Sequence, residues 1–187
     1  TSGLEWHIDP IDGTVNFVYY LPAWCTSFAV VDRHGPLAVA VYVPVTDELF
    51  SAARGGGATR NGEPIHCSTT TDLAMALIGT GFNYSPSTRE QQAARLARLL
   101  PYVRDMRRYG SAALDLCMAA CGRLDAYFEE HLNSWDLAAG VLIAAEAGAT
   151  TSNFAGGPAD TDAVVAAAPG LHRALLDLIE RTSPAQR

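Results

Sequence analysis

The sequence predicts an α/β (α+β layered) protein of alternating helix and sheet layers, and three observations carry that prediction. Short runs with period-two alternation, cut by turn residues, fill the first half. Longer apolar runs with helical spacing and clear stop residues dominate the second half. Towards the C-terminus the two kinds of run alternate, and each sheet face then needs a helix to bury it.

The elements follow in order. Leu4 to Ile8 reads as a strand. Asp9-Pro10 should end it, because Pro10 lacks an N–H for a ladder and holds Asp9 extended. Gly13-Thr14 opens a brief helical turn that reaches Tyr19. Thr26 to Asp32, Leu37 to Val43 and Glu48 to Ala53 read as strands, bounded by His34-Gly35-Pro36 and by the turn from Pro44 to Asp47. Asn61-Gly62 is a two-residue hairpin signal, and Ala76 to Gly79 a buried strand. Thr88 to Leu100 is amphipathic, with Thr88 placed to cap it and Pro101 to stop it. Asp105 to Tyr109 is strand-like, and Ser111 to Cys121 is an apolar helix closed by Gly122. Asp125 to Glu129 is a strand. Trp135 to Ala147 is apolar nearly all round and closed by Gly148, so it should be buried on most sides. Asn153 to Asp162 reads as a surface loop, Ala163 to Ala168 as a strand and Gly170 to Arg181 as the last helix. No repeat or long linker divides the chain, so residues 1–187 read as a single domain.

Composition narrows the function. Of 187 residues, 49% are hydrophobic and 18% charged, which suits a core-forming globular chain. The formal net charge of −7 argues against nucleic acid or an anionic membrane as partner. It also means that an anionic substrate needs a cation to be held. Cys25, Cys67, Cys117 and Cys121 have neither CxxC nor zinc spacing, so they read as reduced thiols of a cytoplasmic protein. The chain opens at Thr1-Ser2-Gly3 and reaches its most chemical segment almost at once, so an N-terminally incomplete domain is expected.

That segment is Trp6-His7-Ile8-Asp9-Pro10-Ile11-Asp12-Gly13-Thr14-Val15-Asn16-Phe17. Asp9 and Asp12 flank a turn set by Pro10, so both carboxylates can point to one side. Two close carboxylates repel unless a cation or a proton sits between them. All-oxygen ligands select a hard cation such as Mg2+, and the Ile11 carbonyl can add another oxygen. Gly13 lets the backbone approach a ligand, the N–H groups that follow favour a phosphate, and the Thr14 hydroxyl can orient a water. A plain Asx-turn, with one Asp capping a short helix, explains the same isolated pattern. Likewise, Asp136 in Trp135-Asp136-Leu137-Ala138-Ala139-Gly140 reads by itself as a helix cap.

The whole string closely resembles the first signature of the inositol monophosphatase family, through Trp6, Asp9, Pro10, Asp12, Gly13, Thr14, Asn16 and Phe17. The run from Trp135 to Gly140 resembles the second signature. The resemblance extends from about Leu4 to His172 and implies an αβαβα sugar-phosphatase fold, here lacking the N-terminal helices and first hairpin. It implies a metal-dependent phosphomonoesterase that binds Mg2+ and is sensitive to lithium. Asp9, Ile11, Asp12 and Asp136 would hold metal, and Asp9, Asp12, Thr14 and Asp136 would be catalytic. Gly13, Thr14, Gly110, Ser111, Ala112, Glu129 and Asp136 would meet substrate. Asn83-Tyr84-Ser85 would border the entrance, whereas His7 is read as packing. The family's Gly-Glu-Glu element, which adds a metal-binding glutamate upstream of the first signature, does not precede Trp6. The expected substrate is a small phosphate monoester, inositol monophosphate first, because Val15-Asn16-Phe17 resembles the inositol branch. Alternatives are histidinol phosphate or another sugar or nucleotide phosphate, and a non-catalytic homologue working through protein contacts. Homodimerisation is implied by the resemblance alone.

Overall fold

The computed structural model describes residues 2–183. A six-stranded antiparallel sheet runs in the order β1 (Glu5–Asp12), β2 (Cys25–Asp32), β3 (Gly35–Val43), β4 (Glu48–Ala53), β5 (Ala58–Arg60) and β6 (Glu63–Pro64). The last two strands form the hairpin signalled by Asn61-Gly62, where both residues have positive φ, 51° and 84°.

The second sheet is mixed. Its strands are β7 (Leu77–Thr80), β8 (Asp105–Arg107), β9 (Ala126–Glu130), β10 (Thr150–Ser152) and β11 (Ala163–Ala167), in spatial order β10-β11-β9-β7-β8. β7 lies parallel to β8 and β9, and β11 antiparallel to β9 and β10. The helices are α1 (Thr14–Val18), α2 (Pro86–Leu99), α3 (Ala112–Ala120), α4 (Ser134–Glu146) and α5 (Pro169–Thr182).

α3 and α4 lie between the sheets. Their buried faces share one core with Val41 and Phe50 of the first sheet and Tyr127, Val164 and Ala166 of the second. Alternate residues of the same strands, Phe128, Val165 and Ala167, point the other way into a second core with Leu171, Leu175 and Leu178 of α5. The order is therefore sheet, helix pair, sheet, helix layer. Among the described residues no helix covers the outer face of the first sheet, where Trp6, Ile8, Phe28 and Tyr42 are exposed. That is the layered fold expected, without its first helical layer.

α3 and α4 approach closely because of Gly140. A Cβ there would fall 2.6 Å from Cβ of Leu116, so the glycine is needed for this packing. No helix is long and apolar enough to cross a membrane among the described residues.

Several boundaries differ from the sequence expectation. β1 does not stop at Asp9-Pro10 but continues to Asp12. Pairing slips between Asp9↔Ser27 and Asp12↔Cys25, and Pro10 sits in this irregularity on an edge strand, where no ladder N–H is required. α2 starts at Pro86 with Ser85 as N-cap, not at Thr88, since proline at the first helical position costs no hydrogen bond. The strand expected over Asp105 to Tyr109 ends at Arg107, and β10 carried no alternation long enough to signal it.

Candidate active site

The irregularity in β1 shapes the site. It turns Asp9 and Asp12 to one side, with the Asp9 Oδ1 accepting the Ile11 N–H at 2.9 Å. Gly13 follows at φ 88°, ψ 36°, a left-handed conformation that starts α1 at Thr14. A Cβ on Gly13 would lie 2.9 Å from the Ala23 carbonyl oxygen and 3.2 Å from Cβ of Ser111.

Asp12 is buried, and its Oδ2 is fully engaged by α3. It accepts the Ser111 hydroxyl and the Ala113 N–H, each at 2.7 Å, with the Cys25 thiol 3.9 Å away. Burial pushes its carboxyl up to about 6, against the pull of these two donors. Asp9 is half-buried and also raised, chiefly by burial and further by the facing Asp136.

Asp136 arrives from α4. Its Oδ2 accepts the Asn133 N–H at 2.8 Å, so it does cap the helix, as the isolated pattern suggested. Capping leaves its other oxygen available. One oxygen from each of Asp9, Asp12 and Asp136 lies within 4.8 Å of the others. Three convergent carboxylates repel one another, and a hard divalent cation fits such an all-oxygen set. Cap and ligand are thus compatible roles of one side chain.

The Thr14 hydroxyl is exposed beside this cluster and donates to the Ile11 carbonyl at 2.8 Å. The hydroxyl oxygen keeps its lone pairs for a water, and the carbonyl keeps a second lone pair. Gly110, at φ 91°, bends the chain into α3, whose N-cap is Ser111. The Ser111 side chain is spent on Asp12, and Ala112 is buried, so only backbone from this turn can face a ligand. Asn16 ties the two walls together, donating to the carbonyls of Ala23 and Tyr109 at 2.6 Å each. It is buried, so its place in the signature is structural.

Glu129 ends the inner row of β9. Burial raises its carboxyl to about 7, while the Tyr127 hydroxyl and Arg108 pull it down and Asp12 and Asp136 push it up. Asn83, before α2, donates its side-chain amide to the His131 carbonyl, so the Asn83-Tyr84-Ser85 stretch borders the loop after β9. His7 is half-buried in β1 and does not join the carboxylate group.

Sequence reasoning missed four supporting residues. Cys25 packs its thiol against Ser111 and Asp12, Gly81 makes room for Glu129, Tyr127 bonds Glu129, and Asp115 lies buried beneath. Only Tyr127 carried a signal: two positions from Glu129 on a strand, it must share its face.

A family model described as inositol monophosphatase family matches residues 1–184. An inositol-1-monophosphatase of Mycobacterium leprae is 52% identical over 184 residues, a match spanning 95% of this chain and 63% of that protein. The chain therefore covers less than two thirds of that relative's length. A protein of Pasteurella multocida called Nus factor SuhB is 41% identical over 182 residues, spanning 96% of this chain and 68% of that one. The solved structure of Mycobacterium tuberculosis SuhB superposes with a TM-score of 0.89 at 49% identity, covering 96% of this chain and 73% of that chain.

Proposed function

Because the chain belongs to the inositol monophosphatase family, we propose that the complete protein hydrolyses inositol monophosphate to myo-inositol and phosphate with Mg2+ as cofactor. The observation that carries this reading is the meeting of Asp9, Asp12 and Asp136, from segments more than a hundred residues apart, within 4.8 Å. Asp9, Asp12, Asp136 and the Ile11 carbonyl would hold the ion. When bound, it would supply Lewis-acid polarisation of the phosphate and a lowered pKa for water.

The chain's own residues do the rest. Thr14, fixed by its bond to the Ile11 carbonyl, accepts a hydrogen bond from the attacking water and so aims it. Gly13 and the backbone at Gly110, Ser111 and Ala112 leave room for the ester, while Asp136 stands beside the departing oxygen. Glu129 accepts hydroxyls of the sugar-like ring, which an aryl ester cannot offer. The four free cysteines fit a reducing, cytoplasmic location, and the protein is proposed to work as a homodimer.

The test is a panel of esters given to the complete protein with Mg2+ and with a chelator. Inositol 1-phosphate should be turned over fastest, and only with the metal. A clear preference for histidinol phosphate, fructose 1,6-bisphosphate or 3′-phosphoadenosine 5′-phosphate would overturn the substrate assignment.

A second reading rests on the name Nus factor borne by the Pasteurella relative: a role through protein contacts, without catalysis. The retained carboxylate triad favours the hydrolase, since a binding module gains nothing from three repelling acids. A full loss of phosphate release in Asp12→Asn, with partner capture intact, would separate the two activities.

A further inference from the structure

The floor beneath Glu129 is more elaborate than a solvated strand end requires. The Tyr127 hydroxyl donates to the Glu129 Oε2, although Tyr127 is wholly buried. Gly81 of the facing segment leaves a slot, because a Cβ there would overlap the Glu129 carboxyl. Asp115 of α3 is 1% exposed, and its Oδ1 has no partner. That oxygen and the Tyr127 ring both pack over Gly79.

We propose that Tyr127 is a positioning residue that, with the slot at Gly81, fixes the direction of the Glu129 carboxyl and thereby sets a preference for phosphate esters of polyhydroxylated rings. The consequence for substrate rests on the function proposed above. The physical reason is the surroundings of Glu129. Asp12 and Asp136 from the metal cluster repel its negative form, and Arg108 attracts it. Those charges would swing a free Glu129 towards Arg108. A buried neutral donor opposes that swing without adding charge. The Tyr127 ring is gripped by the core on both sides, so its hydroxyl is a fixed point. Tyr127 never touches the ester and acts only through Glu129.

The test compares Tyr127→Phe with the unaltered complete protein. Phenylalanine keeps the ring and removes only the hydroxyl, so the fold is spared. The first readout is the titration of the Glu129 carboxyl by carbon-13 NMR, in metal-free buffer. Loss of a hydrogen bond to the ionised form should move its midpoint up by about one pH unit. The second is the ratio of kcat/KM for inositol 1-phosphate over that for 4-nitrophenyl phosphate. It should fall about fivefold, mainly through KM for the inositol ester. Gly81→Ala, which pushes the carboxyl from its slot, should lower the same ratio. An unmoved Glu129 midpoint in Tyr127→Phe, or equal losses on both esters in both variants, would overturn the proposal. If the unaltered protein hydrolyses neither ester while the midpoint still moves, the positioning stands and the assigned reaction fails instead.

Discussion

Ala113 donates its backbone N–H to the Asp12 Oδ2 at 2.7 Å, joining the end of β1 to the first turn of α3 across a hundred residues of chain. The same oxygen takes the Ser111 hydroxyl, so one atom of a candidate metal ligand is committed to the fold and the other is left for chemistry. Asparagine at this position keeps an oxygen for both donors, whereas alanine strands them in a buried site. Asp12→Ala should therefore destabilise the protein by about 1–3 kcal/mol for each stranded donor, and Asp12→Asn by much less. Both should lose the rise in Tm on adding Mg2+, because the ligand charge is gone. Thermal melts with and without Mg2+ check this, and a full Mg2+ shift in Asp12→Asn would remove Asp12 from the ligand set.

Gly13 joins the carboxylates to α1 at a conformation that favours glycine. Gly13→Ala meets two costs: a left-handed backbone, and a methyl 2.9 Å from the Ala23 oxygen, a backbone atom that cannot rotate away. Together these should cost about 2–3 kcal/mol. Because the same shift displaces Thr14, phosphate release should fall more steeply than stability. Equal activity per folded molecule would show that Thr14 does not need this anchor.

Asn16 is a clamp. Its amide serves the Ala23 and Tyr109 carbonyls at 2.6 Å each, and no other described side chain bonds either oxygen. Asn16→Ala leaves two part-buried acceptors without their side-chain donor and should cost about 1–3 kcal/mol in chemical denaturation. The Tyr109-Gly110 turn is then released, so KM for the ester should rise with the surviving activity. Asn16→Asp, acceptor only, should be no better than alanine.

Much of this was legible in the sequence because the site is built from local patterns. Asp9-Pro10-Ile11-Asp12-Gly13-Thr14 fixes its own turn, and the run from Trp135 to Gly140 opens its own helix, so neither needs distant information to be read. The strands β3 and β4 were visible for the same reason: alternation on a half-buried sheet is local. What was hidden depends on residues far apart in the chain. Pro10 looked like a strand end because the edge position that tolerates it is set by the order of strands. Gly81 looked like any loop glycine, since its purpose is to make space for a carboxyl forty-eight residues later. Asp115 sits in an apolar helix, and only the packing shows that one of its oxygens has no partner.

Glu129 gives the sharpest pH test. Burial pushes its carboxyl up to about 7 from an ordinary value of 4.5, so between those values the folded chain should hold a proton that the unfolded chain has released. Stability from this group is therefore greatest at the acid end and declines as pH rises through that window. Asp12 and Asp115 are raised in the same direction, so a pH profile of the unaltered protein mixes all three. The difference between Glu129→Gln and the unaltered protein reports Glu129 together with its coupling to Asp115, whose carboxyl the Glu129 charge helps to raise, while the Asp12 contribution largely cancels. In metal-free buffer the variant should gain on the unaltered protein between pH 5 and pH 8 by up to about 3 kcal/mol in denaturant unfolding. A constant difference across that range would mean that Glu129 is solvated as an ordinary surface carboxylate, and its place in the site would have to be withdrawn. A gain confined to the acid side would reverse the sign and implicate a group that ionises more readily on folding.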